Sequence, residues 1–291
     1  MPEDDSRRTT GIRKPAKSGL PADSVREFRS LLKGALEAKD PAGNVIASAK
    51  WGCYAFYDYD GEPIYVGQTV ESLRTRIRRH LTNQRTDAVA MRILDVFEVA
   101  KLRMWPLWQY QDLDDKVDAV KKSLGKDAAK ATRDRAQINL NAVEYSAYLE
   151  AIDASRFKAI LNEKIPPISI QVPLPASFDF DLVSKETRDQ FGHDDVRIAR
   201  RAETISRLAA VAHERGEVSD GLRRVLVIQA VRLAYIAAER LAYVEGREPP
   251  EPSVIDATKL VGSVLRERSD PHGENSSAED ELDEDDFSLF N

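Results

Sequence analysis

Residues 51–84 read WGCYAFYDYDGEPIYVGQTVESLRTRIRRHLTNQ, and this stretch decides the fold. Its first part, residues 51–58, is aromatic and β-prone. A turn signal, Asp60-Gly61, separates it from a second short β-prone run over residues 63–66. Two β-prone runs around such a dipeptide predict a β-hairpin.

A helix is predicted directly after the hairpin, over residues 71–81. Three apolar residues recur at four-residue steps along it: Leu73, Ile77 and Leu81. Thr69 is available as the N-cap, and Ser72 follows close behind. Basic side chains crowd the other faces and the residues just beyond: Arg74, Arg76, Arg78, Arg79, His80 and Arg85. Tyrosines on neighbouring strands beside clustered guanidinium groups indicate phosphate chemistry.

Two tripeptides of this stretch, GCY at 52–54 and YVG at 65–67, resemble the motifs that name the GIY-YIG nuclease superfamily. Tyr54 and Tyr65 are eleven residues apart, as the family requires. Three further residues follow in the family's order and spacing: Leu73, Arg76 and His80. The resemblance covers about residues 46–170 and is closest to restriction-endonuclease-like members. It implies an α+β fold with a small mixed sheet of about three strands flanked by helices.

The resemblance also implies catalytic roles in the hydrolysis of a phosphodiester bond. Tyr54 would be the general base, although a free phenol with a pKa of ~10 needs assistance at neutral pH. Proton acceptance by His80 could supply that assistance. Tyr65 would hydrogen-bond the phosphate or the nucleophile. Arg76 suits the transition state because its guanidinium presents a fixed fork to two phosphate oxygens.

The family binds one divalent metal, Mg²⁺ or Mn²⁺, through a glutamate on a helix, and an asparagine further along the chain braces the site. Glu150 and Asn162, twelve residues apart, correspond to this pair. Glu144 competes for the metal because the segment NAVEYSAYLEA contains two glutamates. The family's usual proline before the asparagine is replaced here by Ala159.

Apolar periodicity predicts further elements before and after the hairpin. Residues 23–38 form an amphipathic helix pattern, and residues 94–107 alternate well enough for a third strand. A charged helical stretch over 109–134 should break near Gly125. Residues 136–161 are expected to be helical almost throughout.

The proline-rich run over 166–175 cannot be helical and should end the nuclease-like module. Two long helical patterns follow, over 194–214 and 219–245, with Ser219 or Asp220 as the second N-cap, and they predict an αα-hairpin. The second helix is apolar on several faces and must be covered. Its cover could be the first helix, the nuclease body or a second copy of the chain. A homodimer through this pair is expected, because cutting both strands of a duplex needs two sites or two visits.

Charge is distributed unevenly along the chain. Its 43 Lys and Arg residues face 49 Asp and Glu residues, for a net charge of −6. Nine of the acidic residues lie from Asp270 to the end, so the remainder is slightly basic. This acidic tail should be disordered, either as a solubilising segment or as a mimic of DNA phosphates on the basic surface. The residues expected to contact DNA are Arg74, Arg78, Arg79 and Arg85.

The sequence therefore divides into five segments: 1–22, 23–45, 46–175, 176–265 and 266–291. These are a disordered N-terminus, a helix, the nuclease domain, a helical extension and the acidic tail. Nothing resembles a membrane span, and a single cysteine, Cys53, favours a cytoplasmic protein.

The leading functional hypothesis is a Mg²⁺-dependent endonuclease acting on double-stranded DNA. Its stand-alone size favours a bacterial restriction or defence enzyme. Two alternatives stay open, namely a catalytically idle nucleic-acid-binding protein and a GIY-YIG nuclease of DNA repair or recombination.

Overall fold

The computed structural model describes residues 22–82 and 96–265 of the chain. Within these ranges the fold is α+β, as predicted. Its helices are α1 (Asp23–Glu37), α2 (Leu73–Thr82), α3 (Leu113–Leu124), α4 (Lys126–Ala154), α5 (Lys185–Phe191), α6 (Asp194–Arg215), α7 (Asp220–Glu245) and α8 (Ala257–Val261). Its strands are β1 (Gly52–Tyr57), β2 (Pro63–Thr69), β3 (Lys101–Pro106) and β4 (Phe178–Asp181).

The strands form one sheet in the order β2-β1-β3-β4, and every pairing is antiparallel. The predicted mixed sheet of about three strands is corrected on both points. The strand that the sequence reading missed, β4, pairs with β3 although it lies beyond residue 175. The segment expected to be purely helical therefore supplies the fourth strand of the sheet that the hairpin begins.

The predicted hairpin is confirmed as β1 and β2. Its turn is closed by Asp58, whose Oδ1 accepts hydrogen bonds from the backbone N–H groups of Asp60 and Glu62, each at 2.9 Å. Gly61 has φ +79°, a backbone conformation that glycine adopts without steric cost. The turn signal in the sequence thus has a direct structural cause.

Helix α2 is also confirmed, with a different cap from the one expected first. It begins at Leu73, and Ser72 Oγ accepts a hydrogen bond from the backbone N–H of Thr75 at 3.1 Å. Thr69 Oγ1 instead accepts from Glu71 N in the preceding turn. Leu73, Ile77 and Leu81 are all buried, as their spacing predicts.

The third strand is shorter than predicted. β3 begins at Lys101, and a 3₁₀ turn, Val96–Glu98, precedes it. Residues 94 and 95 of the predicted strand lie outside the described residues. The expected helix break near Gly125 is confirmed, since Gly125 has φ 91° and separates α3 from α4.

The predicted helix over residues 136–161 ends early, at Ala154. The apolar residues beyond it are buried without being helical, because the chain turns there and follows the outer edge of β2. The backbone N–H of Leu161 donates to the carbonyl oxygen of Ile64 at 3.2 Å. This segment covers an edge strand whose polar groups would otherwise lack protein partners.

The predicted αα-hairpin is confirmed as α6 and α7. Ser219 caps α7 by accepting a hydrogen bond from the backbone N–H of Leu222 at 3.1 Å. The apolar face of α7 joins the same hydrophobic core as the sheet, through Leu222, Val225, Ile228 and Val231. Its cover therefore comes from within the chain. The short helices α5 and α8 were not predicted.

Buried ion pairs join the helical pair to the hairpin turn. Arg201 of α6 donates to Asp58 Oδ2 at 2.7 Å, and Arg197 donates to the same oxygen at 3.2 Å. A second nitrogen of Arg197 lies 2.6 Å from Asp60 Oδ2. The side chains of Asp58, Arg197 and Arg201 are almost completely buried. The hairpin is thus held from its turn end by α6.

Some predictions fall outside the described ranges. They concern Arg85, the N-terminal segment before Ala22 and the acidic tail from residue 266 onwards. Across the described helices, none combines the length and apolar character needed to cross a membrane.

Candidate active site

Three aromatic rings meet at one face of the hairpin. Tyr54 lies opposite Gly67 in the register of β1 and β2, and Phe56 lies opposite Tyr65, so both tyrosines share a face of the sheet. The Tyr54 and Tyr65 ring centroids are 5.9 Å apart, and that of His80 lies 5.2 Å from Tyr65. The Tyr54 hydroxyl oxygen is 2.8 Å from His80 Nε2, within hydrogen-bond distance.

Gly67 makes this convergence possible. A Cβ atom at this position would lie 2.6 Å from a ring carbon of Tyr65 and 2.9 Å from the Tyr54 hydroxyl. Gly52 is also tightly packed, because a Cβ there would lie 2.7 Å from the carbonyl oxygen of Trp105 on β3. Both glycines are therefore required by close packing, Gly67 against the two tyrosines and Gly52 against Trp105 and Leu73.

Arg76 reaches the same cluster from α2, one helical turn before His80. Its positive charge acts on both hydroxyl groups and opposes the rise that burial gives to the pKa of Tyr54 and of Tyr65. Its Nε atom is buried and has no hydrogen-bond partner among the described residues. The guanidinium thus lies near the tyrosines and has an N–H donor that no described residue uses.

Burial sets the protonation states of the cluster. It raises the pKa of Tyr54 well above the usual value, and it raises that of Tyr65 against the opposing influence of Arg76. Burial, followed by the charges of Arg76 and Arg79, lowers the pKa of His80 to about 4. At neutral pH both phenols carry their protons and the imidazole is neutral. The Tyr54 O–H can therefore donate to His80.

Glu144 is the carboxylate that α4 brings to this cluster. It is buried, and it lies near the backbone of Gln68, the residue directly after the second tripeptide. Burial raises its pKa to about 7, while the positive charge of Arg76 acts in the opposite direction. A carboxyl group in this position is half ionised near neutral pH and gains from a nearby cation.

Glu150 lies elsewhere. Its side chain is 55% exposed and pairs with Arg103 at 3.4 Å. Six residues of helix turn through about 600° and rise about 9 Å, so Glu144 and Glu150 face about 120° apart. The structure therefore brings Glu144, rather than Glu150, to the tyrosines. A sequence signal existed, since Glu144 follows the buried Leu140 by four residues.

Asn162 braces the second tripeptide. Its Oδ1 accepts from the backbone N–H of Val66 at 3.0 Å, and its Nδ2 donates to the Val66 carbonyl at 2.7 Å. This paired contact fixes β2 between Tyr65 and Gly67. The asparagine thus lies where the resemblance implied, although it contacts backbone and not a reacting group.

The arginines expected to contact DNA are used in different ways. Arg74 donates to the carbonyl oxygen of Leu36 at 2.9 Å, which ties α1 to α2. Arg79 makes two hydrogen bonds to Glu71, at 2.8 and 3.2 Å. Arg78 is exposed.

Glu144 alone offers a divalent metal one carboxylate, so any metal here needs further oxygen donors. No cluster of three or more His, Cys, Asp or Glu side chains able to hold a metal occurs in the described ranges. The Gln68 side chain reaches the same helix as Glu144, since its Nε2 donates to Asn141 Oδ1 at 3.0 Å, and its Oε1 is buried with no hydrogen-bond partner among the described residues. The Glu144 carboxylate and Gln68 Oε1 are both oxygen donors, which Mg²⁺ and Mn²⁺ prefer. They fit one metal that keeps water molecules as its other ligands.

Comparison with known proteins agrees with this geometry. Residues 50–114 match the family model described as the GIY-YIG catalytic domain. The match supports membership of the GIY-YIG nuclease superfamily and indicates a nuclease. It includes Tyr54, Tyr65, Arg76 and His80 and ends before Glu144. No curated protein and no solved structure matches the chain.

Proposed function

We propose that this chain is a Mg²⁺-dependent endonuclease that hydrolyses phosphodiester bonds of double-stranded DNA. The observation that carries the proposal is the contact of 2.8 Å between the Tyr54 hydroxyl and a neutral His80. The positive charge of Arg76 acts on the same hydroxyl and on that of Tyr65. A proton acceptor and a phosphate-binding cation therefore lie together on one face of the hairpin.

The proton transfers follow from this arrangement. A water molecule attacks phosphorus and gives a proton to the Tyr54 oxygen, while Tyr54 passes its own proton to His80 Nε2. The new bond joins the water oxygen to phosphorus. The bond from phosphorus to the 3′ oxygen breaks, and that oxygen takes a proton from solvent. The negative charge of the bound phosphate offsets Arg76 and Arg79, which makes it easier for His80 to accept the proton.

Arg76 and Tyr65 act on the transition state. A guanidinium remains charged and offers parallel N–H donors to two phosphate oxygens. Because Arg76 is partly buried, its charge acts in a medium of lower dielectric than water. The Tyr65 hydroxyl lies beside it and can donate to the same phosphate.

We assign the metal, Mg²⁺ or Mn²⁺, to Glu144, with the Gln68 amide oxygen as a further donor. When bound, it neutralises charge that develops on the departing oxygen. Glu150 was the first choice from its spacing to Asn162, but its ion pair with Arg103 keeps it at the surface. Asn162 keeps β2 in place beneath the cluster.

For the biological role, we propose restriction or defence in the bacterial cytoplasm. Tyr54, Tyr65, Arg76, His80 and a buried carboxylate together favour catalysis over idle DNA binding. A role in repair or recombination would use the same chemistry. A homodimer would place one site at each strand of a duplex.

The first test is cleavage of a supercoiled plasmid with Mg²⁺ and with EDTA. The wild-type protein should nick or linearise the plasmid only with the metal. Glu144→Gln should lose metal-dependent cleavage, whereas Glu150→Gln, on the same helix, should keep it. Cleavage that survives Glu144→Gln and disappears in Glu150→Gln would transfer the metal to Glu150. Absence of cleavage by the wild type on any DNA would contradict the proposed function.

A further inference from the structure

A groove with basic walls lies between α1 and α2. Its cations are Arg29 and Lys33 of α1 with Arg74 and Arg78 of α2, above a floor formed by Leu32 and Leu36. We call it the α1–α2 groove. Its volume is about 470 Å³. The GIY-YIG match begins at residue 50, so α1 lies outside the matched region.

The walls of the α1–α2 groove are open to solvent. Arg29, Lys33 and Arg78 are exposed, and the Lys33 side chain is 74% accessible. Glu37 is an acidic residue of the lining, and its contact with Lys33 is long, at 3.9 Å. Four cations against this carboxylate leave a surplus of positive charge. That surplus suits a partner with regularly spaced anions.

Helix α2 connects the groove to the active site. Arg74 and Arg78 are four residues apart and share one face of the helix, while Arg76 and His80 share another. A helix with its side chains is about 10–12 Å across, and the DNA major groove is about 12 Å wide. Helix α2 is therefore narrow enough to enter the major groove. With the scissile phosphate at Arg76 on one side of α2, neighbouring phosphates would then lie on its other side, at the α1–α2 groove.

We propose that the α1–α2 groove binds the phosphodiester backbone of the DNA that the active site cuts. The inference rests on the proposed function and adds α1 to the DNA-binding surface. Arg29 and Lys33 would contact phosphates directly. Arg74 would hold α1 in place through its hydrogen bond to the Leu36 carbonyl. Such contacts position the duplex and carry no sequence information.

The test compares two double variants with the same change in charge. Arg29→Glu with Lys33→Glu reverses the α1 cations, and Lys121→Glu with Lys122→Glu reverses two exposed cations of α3. Affinity for a fluorescent duplex is measured by anisotropy in EDTA at several salt concentrations. The α1 variant should bind more weakly, and its plot of log affinity against log salt should be shallower by about two units. Its deficit should shrink about tenfold between about 50 and about 200 mM salt.

Equal affinities and slopes for the two double variants would overturn the proposal. Tighter DNA binding by the α1 variant would also overturn it, because the groove would then hold the acidic tail instead. If charge reversal prevents folding, Arg29→Gln with Lys33→Gln replaces it; it removes the same two phosphate contacts, so a slope shallower by about two units is again expected. Wild-type protein that binds the duplex but never cuts it contradicts the proposed function alone. Normal cleavage with no effect at α1 contradicts the groove alone.

Discussion

His80 is neutral at physiological pH because it is partly buried and two guanidinium groups lie nearby. Its folded-state pKa of about 4 lies below the ordinary value of 6.5. Between these values the unfolded chain binds a proton at His80 and the folded chain does not. The stabilising effect of this neutral imidazole is therefore complete above about pH 6.5 and is lost as the pH falls towards 4.

This predicts a pH dependence that His80→Asn should remove. Glu144 titrates in the opposite direction, because burial raises its pKa to about 7, so the two proteins must be compared at each pH. Urea unfolding should show the stability difference between wild type and variant constant above about pH 6.5. Between about pH 6.5 and pH 4, the wild type should lose about 3 kcal/mol of unfolding free energy relative to the variant. A difference that stays constant over the whole range would show that the pKa is not lowered.

The positions of Tyr54, Tyr65, Arg76 and His80 could be predicted because they lie within one hairpin and the helix after it. Their contacts depend on local turns and on helical spacing. Glu144 was ranked below Glu150 because the family spacing to Asn162 was given more weight than helical phase. Leu140 and Ala147, both buried on α4, share the Glu144 side of the helix. The position of a residue around the helix axis determines which carboxylate faces the sheet, and on α4 that residue is Glu144.

At the scale of elements, α6 and the hairpin turn form a buried ionic connection. Asp58 is satisfied by two turn N–H groups and by Arg197 and Arg201. Removing one partner of a buried pair leaves a charge without compensation, which typically costs about 3–5 kcal/mol. The hairpin carries both tyrosines of the candidate site, so this connection supports that site as well as the fold.

We predict that Arg201→Met lowers the free energy of unfolding by about 3–5 kcal/mol, because Asp58 loses its closest cation. Arg207→Met is the matched control on the same helix, since Arg207 is exposed and pairs only with the exposed Glu203 among the described residues. The control should change stability by no more than about 0.5 kcal/mol. Urea denaturation measures both. Equal effects of the two substitutions would show that the buried ion pair contributes no more to stability than the exposed one.

Elements joined by distant pairing were the ones that sequence reading missed. β4 is four residues long and pairs with β3 more than seventy residues earlier, so its FDFD alternation gave little local signal. The end of α4 was also misplaced, because the apolar residues after Ala154 continue a helical pattern while they pack against β2. The α6 and α7 pair was found because its caps and periodicity are local.

At the scale of the molecule, α7 raises the question of a homodimer. Its apolar face packs within the chain, so that face does not supply a subunit interface. Large apolar side chains are still exposed near its end: Leu241, Tyr243 and Val244. We propose that a dimer, if cleavage of both strands requires one, uses this end of α7.

Light scattering at micromolar concentration tests this proposal. The wild type should have the mass of a dimer with or without DNA, and Tyr243→Asp should shift it to a monomer, because a charge in an apolar contact is poorly solvated. Lys259→Asp, at another exposed helix, should leave the mass unchanged. A monomeric wild type under both conditions would rule out the dimer.

The central claim is that Tyr54 transfers the proton, and one measurement tests it most directly. Single-turnover cleavage of a DNA substrate at saturating Mg²⁺ is compared for wild type, Tyr54→Phe and Tyr57→Phe. Tyr57 is the matched control, since it lies on the same strand with its ring beside Arg103 instead of His80. Tyr54→Phe should be slower by about 10²–10³ with DNA affinity nearly unchanged, and Tyr57→Phe should be near normal. Near-normal cleavage by Tyr54→Phe would contradict the account.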